Sequence, residues 1–250
     1  MIVRQAANVL ELLEYFARAK KPSNLAEIST ALGWPRSSTF NLLTTLAQRG
    51  FLYEPRPRGG YYPSPRWMSL LQKIADTELL PEPLCKAVDE VARETGETVA
   101  VAAPAGTTAV LLYVVESRAN IRFSAQVGYQ LPIHATSTGR ALLAQYSSRE
   151  RASVLKKVKF EKYSRRSPLN AEQVEAEIKR AATRGWHENI GGHDADLTGV
   201  ALPVGLRDRR LSVVVGGPTS RMRQKIPQIA ATIKRALKGQ LPAQRASDTD

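Results

Sequence analysis

Three short amphipathic stretches followed by a Gly/Pro tip between aromatic residues occupy the first 66 positions, and few folds accommodate that order. From Arg4 to Ala19, Val9, Leu10, Leu12, Leu13 and Phe16 recur at helical spacing. Lys20, Lys21 and Pro22 stop that helix. Asn24 and Glu27 have the spacing of a capping box, in which each side chain reaches the other's backbone N–H. The short helix they open continues through Leu25, Ile28 and Leu32. Gly33 supplies a turn, and Pro35 stands where the first residue of a helix tolerates a missing N–H. A third helix runs through Phe40, Leu43 and Leu46 and ends at Arg49-Gly50, with Gly50 just past the end. Phe51-Leu52-Tyr53 and Tyr61-Tyr62 then flank a Pro55–Gly60 tip, the pattern of a β-hairpin, and the tip carries Arg56 and Arg58. Helix, helix, turn, helix and basic hairpin predict a winged helix-turn-helix over residues 1–66.

The remainder has a different rhythm. A mostly apolar helical stretch, 67–80, reads as a connecting helix, broken by Pro81 and Pro83. Residues 81–238 form a second domain. Its predicted helices cover 84–95, 138–146, 148–157, 171–184 and 221–237. Its predicted strands cover 98–103, 109–115, 121–125, 199–204 and 211–215. Short turns such as that between Val204 and Leu211 favour antiparallel pairing, so an α+β fold with a mainly antiparallel sheet is expected. Residues 239–250 turn polar and small, which predicts a disordered tail. No internal repeat is visible.

The chain of 250 residues carries a formal charge of +13, with 43% hydrophobic residues, enough to bury a core. The positive balance favours a polyanionic partner, because Lys and Arg neutralise phosphates and release counterions. Arg4, Glu11 and Glu14 interrupt the apolar residues of the N-terminus, which excludes a membrane helix or signal peptide there. One cysteine, Cys85, permits no internal disulfide. These features together read as a cytoplasmic protein.

The DNA-binding expectation rests on the third helix. Its expected buried stripe is Phe40, Leu43, Leu46 and Ala47, and the opposite face offers Arg36, Ser37, Ser38, Asn41, Thr44, Thr45 and Gln48. Short polar groups of this kind reach base edges and phosphates. A recognition helix places its N-terminal residues in the major groove, where Asn and Gln can bond adenine and Arg guanine. The expected DNA contacts are Arg36, Ser37, Ser38, Thr39, Asn41 and Thr45 on the helix and Arg56 and Arg58 on the wing. Other clusters carry less. His187, His193, Asp194 and Asp196 match no metal-site spacing and read as polarity of a Gly-rich loop, so no metal is expected. Cys85 has no catalytic signature around it and reads as a packing residue. Lys156, Lys157, Lys159, Lys162, Arg165 and Arg166 read as a solvated helix end and loop.

With these motifs in view, the sequence resembles the IclR family of bacterial regulators over about residues 4 to 238. The N-terminal likeness lies in Leu25-Ala26-Glu27-Ile28, Pro35-Arg36-Ser37-Ser38-Thr39 and Leu42-Leu43-Thr44-Thr45-Leu46. The second half resembles a more distinctive signature in Leu131-Pro132-Ile133-His134-Ala135, Gly139-Arg140-Ala141-Leu142-Leu143-Ala144, Gly185-Trp186, Val200-Ala201-Leu202-Pro203-Val204 and Gly217-Pro218. The resemblance implies a GAF-like domain that binds a small organic acid through Asn120, Phe123, Leu131, Ser137, Thr138, Gly139, Asn189, Gly199, Val214 and Gly216. Ser137 and Thr138 would open a helix whose free N–H groups favour an anion. The family often has an acid at Asn189, a cysteine at Gly199 and serines at Val214 and Gly216. This pocket should therefore be less polar and roomier, fitting an aromatic or alicyclic acid. Arginine is frequent in the family where Asn41 stands. The resemblance further implies operator DNA as partner, a homodimer or dimer of dimers, room for a contact with RNA polymerase, and no cofactor. Two rivals stay open from the sequence: an enzyme using the 187–196 stretch, and a module whose winged helix binds protein.

Overall fold

The computed structural model describes residues 3–57, 59–75, 80–206 and 209–240. The chain divides into two compact units, Met1–Leu79 and Leu80–Asp250.

In the first unit, α1 (Arg4–Ala19), α2 (Leu25–Leu32) and α3 (Arg36–Gln48) precede the short strands β1 (Leu52–Tyr53) and β2 (Tyr62–Pro63), and α4 (Arg66–Ala75) follows. The capping box at Asn24 forms as its spacing predicts: Asn24 Oδ1 accepts from the N–H groups of Ala26 and Glu27, and Glu27 Oε2 accepts from Asn24 N–H. Gly33 adopts φ +66, which lets the chain turn at once from α2 into α3. The turn is locked by Ser29 and Trp34, which exchange a backbone N–H···O bond and a Ser29 hydroxyl bond to the Trp34 carbonyl. One core holds the unit together: Leu12 and Phe16 of α1, Ile28 of α2, Leu43 and Leu46 of α3, with Trp34 and Leu52. Leu10, expected on the buried side of α1, is exposed. The helix read over 67–80 begins at Arg66 and is described through Ala75; residues 76–79 lie outside the described residues.

The second unit opens with α5 (Glu82–Thr95), the hairpin β3 (Thr98–Ala105) and β4 (Thr108–Val115), and β5 (Gln130–Pro132). Then come α6 (Ser137–Leu143), α7 (Ser148–Leu155), α8 (Ala171–Arg184), β6 (His187–Ile190), β7 (Leu197–Leu206) and β8 (Arg209–Pro218). The short α9 (Thr219–Met222), a 3₁₀ turn (Arg223–Lys225) and α10 (Ile226–Gln240) follow. The six strands form one sheet in the order β5-β4-β3-β8-β7-β6, every pair antiparallel, as the short turns predicted. Alternation sorts β3 between two cores. Val99 and Val101 face α5 and α10, where Leu84, Val88, Val91, Ile226, Ile229 and Ile233 cover them. Ala100 and Ala102 face the other way, toward Ala141 and Leu142 of α6. Burial on both faces explains why β3 reads as an unbroken apolar run.

Three predicted elements differ. Residues 121–125 are not a strand; the edge strand is β5, further along, because the 116–129 segment leaves the sheet to lie over it through the Thr98 and Arg221 bonds described below. His187–Ile190, read as loop, is a strand, because its backbone pairs with Thr198–Ala201 of β7. Finally, α10 continues to Gln240, two residues into the stretch read as tail; residues 241–250 lie outside the described residues.

Candidate functional sites

Burial on α3 follows Thr39, Leu43 and Leu46, spaced four and three residues apart. Leu43 and Leu46 are buried as expected and Ala47 is half-buried, but the stripe begins at Thr39 rather than Phe40. Thr39 is fully buried, and its hydroxyl donates to the Pro35 carbonyl at 3.0 Å. It is therefore corrected from DNA contact to buried residue: its side chain is out of solvent and its hydroxyl is satisfied by the helix's own backbone. Phe40 moves the opposite way and is 52% exposed. Arg36, Ser37, Ser38, Asn41, Thr45 and Gln48 are exposed as expected, while Thr44 is half-buried. Thr45 Oγ1 donates to the Asn41 carbonyl at 2.7 Å. Pro35 begins the helix without a side-chain cap, so the leading N–H groups stay available to an anion.

The hairpin that follows this helix is held within the unit at several points. Leu52 pairs with Pro63 and Tyr53 with Tyr62, while Tyr61 bridges to Ser23 through two backbone bonds. Gly60 permits that approach: it adopts φ +84, and a Cβ there would lie 2.5 Å from the Ser23 carbonyl carbon. Tyr15 donates from its hydroxyl to Ser23 Oγ at 2.8 Å, and Trp67 Nε1 donates to the Phe51 carbonyl at 2.9 Å. Arg56 is exposed on the hairpin. Arg58 lies outside the described residues.

In the second unit, one row of paired residues crosses four strands: Thr98, Gly216, Gly199 and Asn189. A Cβ at Gly199 would lie 2.6 Å from Ser137 Oγ and 3.9 Å from Val214 Cγ2. One at Gly216 would lie 2.9 Å from Cδ1 of Phe123. The structure thus brings together Ser137, Gly199, Val214, Phe123 and Gly216, with Leu131 in the same apolar cluster as Phe123 and Val214. The extra room expected at the two glycines is instead filled by the Ser137 hydroxyl and the Phe123 ring, as close packing of interiors demands. The segment carrying Phe123 is held by two side chains. The Phe123 carbonyl accepts from Thr98 Oγ1, and the Ile121 carbonyl accepts from Arg221, whose guanidinium also forks onto buried Glu97 at 2.7 and 2.8 Å. Asn120, on the same segment, is exposed, and Asn189 turns its Oδ1 toward Gly192.

Ser137 and Thr138 do open α6, and both are buried. Thr136 is the capping residue, its Oγ1 accepting from Gly139 N–H at 3.1 Å. Gly139 is required by packing, since a Cβ there would lie 2.0 Å from the Ile133 carbonyl oxygen.

The sequence shows Arg140 only as part of a motif, yet it is a buried charge within this helix. It is 3% exposed, and two carbonyls hold it, those of His134 at 3.2 Å and Glu188 at 2.7 Å. Burial pulls its pKa down to about 10. The signal is a cation placed directly between Gly139 and the apolar Ala141-Leu142-Leu143. His187 lies nearby, with Nδ1 buried and unpartnered; burial, then Arg140 and Arg184, push its pKa down to about 3. The polar stretch around it does not converge. His193 packs on the Tyr163 ring at 5.0 Å, and Asp194 Oδ1 accepts from Asp196 N–H. Among the described residues no three His, Cys, Asp or Glu side chains group as metal ligands, and no helix is long and apolar enough to cross a membrane.

Two family descriptions match the chain. "Bacterial transcriptional regulator IclR C-terminal" matches residues 80–238, and "IclR helix-turn-helix domain" matches residues 5–56. Transcriptional repressor IclR of Escherichia coli K12 is 24% identical over 241 residues, covering 94% of this chain and 88% of that protein. The repressor AllR of the same strain is 24% identical over 229 residues, covering 88% and 84%. Among solved structures, Thermotoga maritima IclR superposes with a TM-score of 0.73 at 18% identity, covering 94% of this chain and 96% of that one. A transcriptional regulator from Rhodococcus sp. RHA1 gives 0.71 at 20% identity, covering 95% and 99%.

Proposed function

The chain belongs to the IclR family of bacterial transcriptional regulators, DNA-binding proteins rather than enzymes, and from that premise we propose that it reads a specific operator through α3 and is controlled by an aromatic or alicyclic acid bound in its second unit. The observation that carries the first part is the exposed polar face of α3, Ser37, Asn41, Thr45 and Gln48, opposite a stripe buried in the core. Arg36 and the uncapped N–H groups at the start of α3 would hold a phosphate. Arg56 on the wing would track the backbone. Residues 1–66 would act as reader, 67–80 as connection and 81–238 as effector domain. Two readers in a homodimer, or four in a dimer of dimers, would meet a pseudo-palindromic site, with RNA polymerase a further contact.

The second part is supported by the face formed by Ser137, Gly199, Val214, Phe123 and Gly216. A hydroxyl and an aromatic ring fill the space beside two glycines, and both would move aside for a ligand. Phe123 would then stack on a ring, while Ser137 and Thr138 would meet a carboxylate in the field of buried Arg140. Effector binding changes operator affinity only if the acid binds the DNA-competent and DNA-incompetent states unequally.

Fluorescence anisotropy on the protein's own upstream DNA, across salt and with a panel of acids, tests both parts. The expectation is sequence-specific binding that weakens steeply with salt and shifts with one aromatic acid. Tighter binding of two- or three-carbon oxoacids than of ring acids would overturn the effector class. Salt-insensitive binding without sequence preference would overturn the reader assignment.

A further inference from the structure

We propose that Phe40 reads a thymine, its ring packing against the C5-methyl group in the major groove beside the polar contacts of Ser37 and Asn41. The inference rests on α3 being the DNA-reading helix and adds a base preference to it.

The sequence pattern assigns Phe40 to the core, and the structure removes it. Because Thr39, Leu43 and Leu46 make the buried stripe, the next residue after Thr39 projects about 100° further round the helix. Phe40 is 52% exposed and stands outside the cluster that gathers Tyr15, Phe51, Tyr62 and Trp67 from elsewhere in the unit. One turn toward the helix start its neighbours are the exposed, polar Arg36 and Ser37; one turn further on stand the buried Leu43 and the half-buried Thr44. Every other exposed side chain of α3 is polar or charged: Arg36, Ser37, Ser38, Asn41, Thr45 and Gln48. A phenyl ring there can satisfy no phosphate and no amide edge. The one apolar group that base pairs display in the major groove is the thymine methyl. Phe40 is the fifth of thirteen residues in α3, in the half of a reader helix that enters the groove. The ring therefore distinguishes thymine from cytosine at its step, and Asn41 beside it has the chemistry to read an adenine.

The test uses the full chain. A sequence is first selected from random duplexes. The selected duplex is then remade with deoxyuridine replacing each thymine in turn, which removes the methyl group and leaves every hydrogen-bonding edge intact. At one or more thymines the replacement should weaken wild-type binding about threefold to tenfold, the value of a buried methyl-sized contact. Phe40→Ala should bind the two duplexes within about twofold of one another, and Phe40→Leu should keep part of the discrimination. Because the ring is exposed, the melting temperature of Phe40→Ala should stay close to that of wild type. Selection of a sequence whose binding ignores every deoxyuridine would overturn the Phe40 proposal and leave the reader assignment standing. So would a methyl effect undiminished in Phe40→Ala. Enrichment of no sequence at all would overturn the reader assignment, and the proposal with it.

Discussion

Thr39 and Phe40 exchange the places that hydropathy gives them. Hydropathy puts Phe40 inside, yet the core takes the smaller Thr39 because its hydroxyl can bond the Pro35 carbonyl without leaving the helix. Thr39→Val should accordingly leave operator affinity within about twofold while lowering stability by about 1 kcal/mol, whereas Asn41→Ala should cut sequence-specific affinity about tenfold. Anisotropy titrations and urea melts of the two variants separate the outcomes, and a large affinity loss in Thr39→Val would restore it to the DNA surface. Gly60 is a position of the other kind, legible as a turn residue but not as a contact. Gly60→Ala should cost about 2 kcal/mol or more, read as a lower urea midpoint, because both its positive φ and the Ser23 backbone forbid a Cβ. Arg140 was visible only as one letter in a motif. Its burial depends on β6, which sequence reasoning took for a loop.

At the level of elements, what local chemistry controls was legible. The capping box of α2, the Gly33 turn and the Gly50 end all form as their spacings predict. Asn24→Ala should cost about 1 kcal/mol, since it strips the N–H groups of Ala26 and Glu27 of their acceptor; an unchanged thermal midpoint would show that the cap carries nothing. Elements defined by partners were harder to see. Residues 187–190 have no run of apolar alternation and become a strand only because β7 offers an edge. Residues 121–125 look strand-like, but Thr98 and Arg221 bind their carbonyls and hold the segment off the ladder. The wing carries its own prediction. Arg56→Ala should reduce the slope of log affinity against log salt by about 0.9 if Arg56 meets one phosphate, and an unchanged slope would remove it from the interface.

Across the whole molecule, three histidines share one bias. Burial lowers the pKa of His134, His187 and His193, that of His187 to about 3. An unfolded histidine titrates near 6.5, so below that pH the unfolded chain binds protons that the native state refuses. Their stabilising effect is complete above about pH 6.5 and declines as pH falls toward the folded value, by up to about 1.4 kcal/mol per pH unit for each histidine. Urea midpoints should therefore drop between pH 6.5 and 5, and His187→Gln should flatten that drop; an identical slope in the variant would sink the assignment. The sequence by itself determined the N-terminal helices, the turn and caps between them, the antiparallel character of the sheet and the family of the chain. All of these depend on neighbours within a few residues or on motif spacing. Tertiary structure decided which face of α3 is buried, what fills the space at Gly199 and Gly216, and where Arg140 and His187 lie. Those outcomes depend on side chains brought together from distant positions, such as Ser137 against Gly199 and Phe123 against Gly216, and close packing allows only one of them to occupy each space.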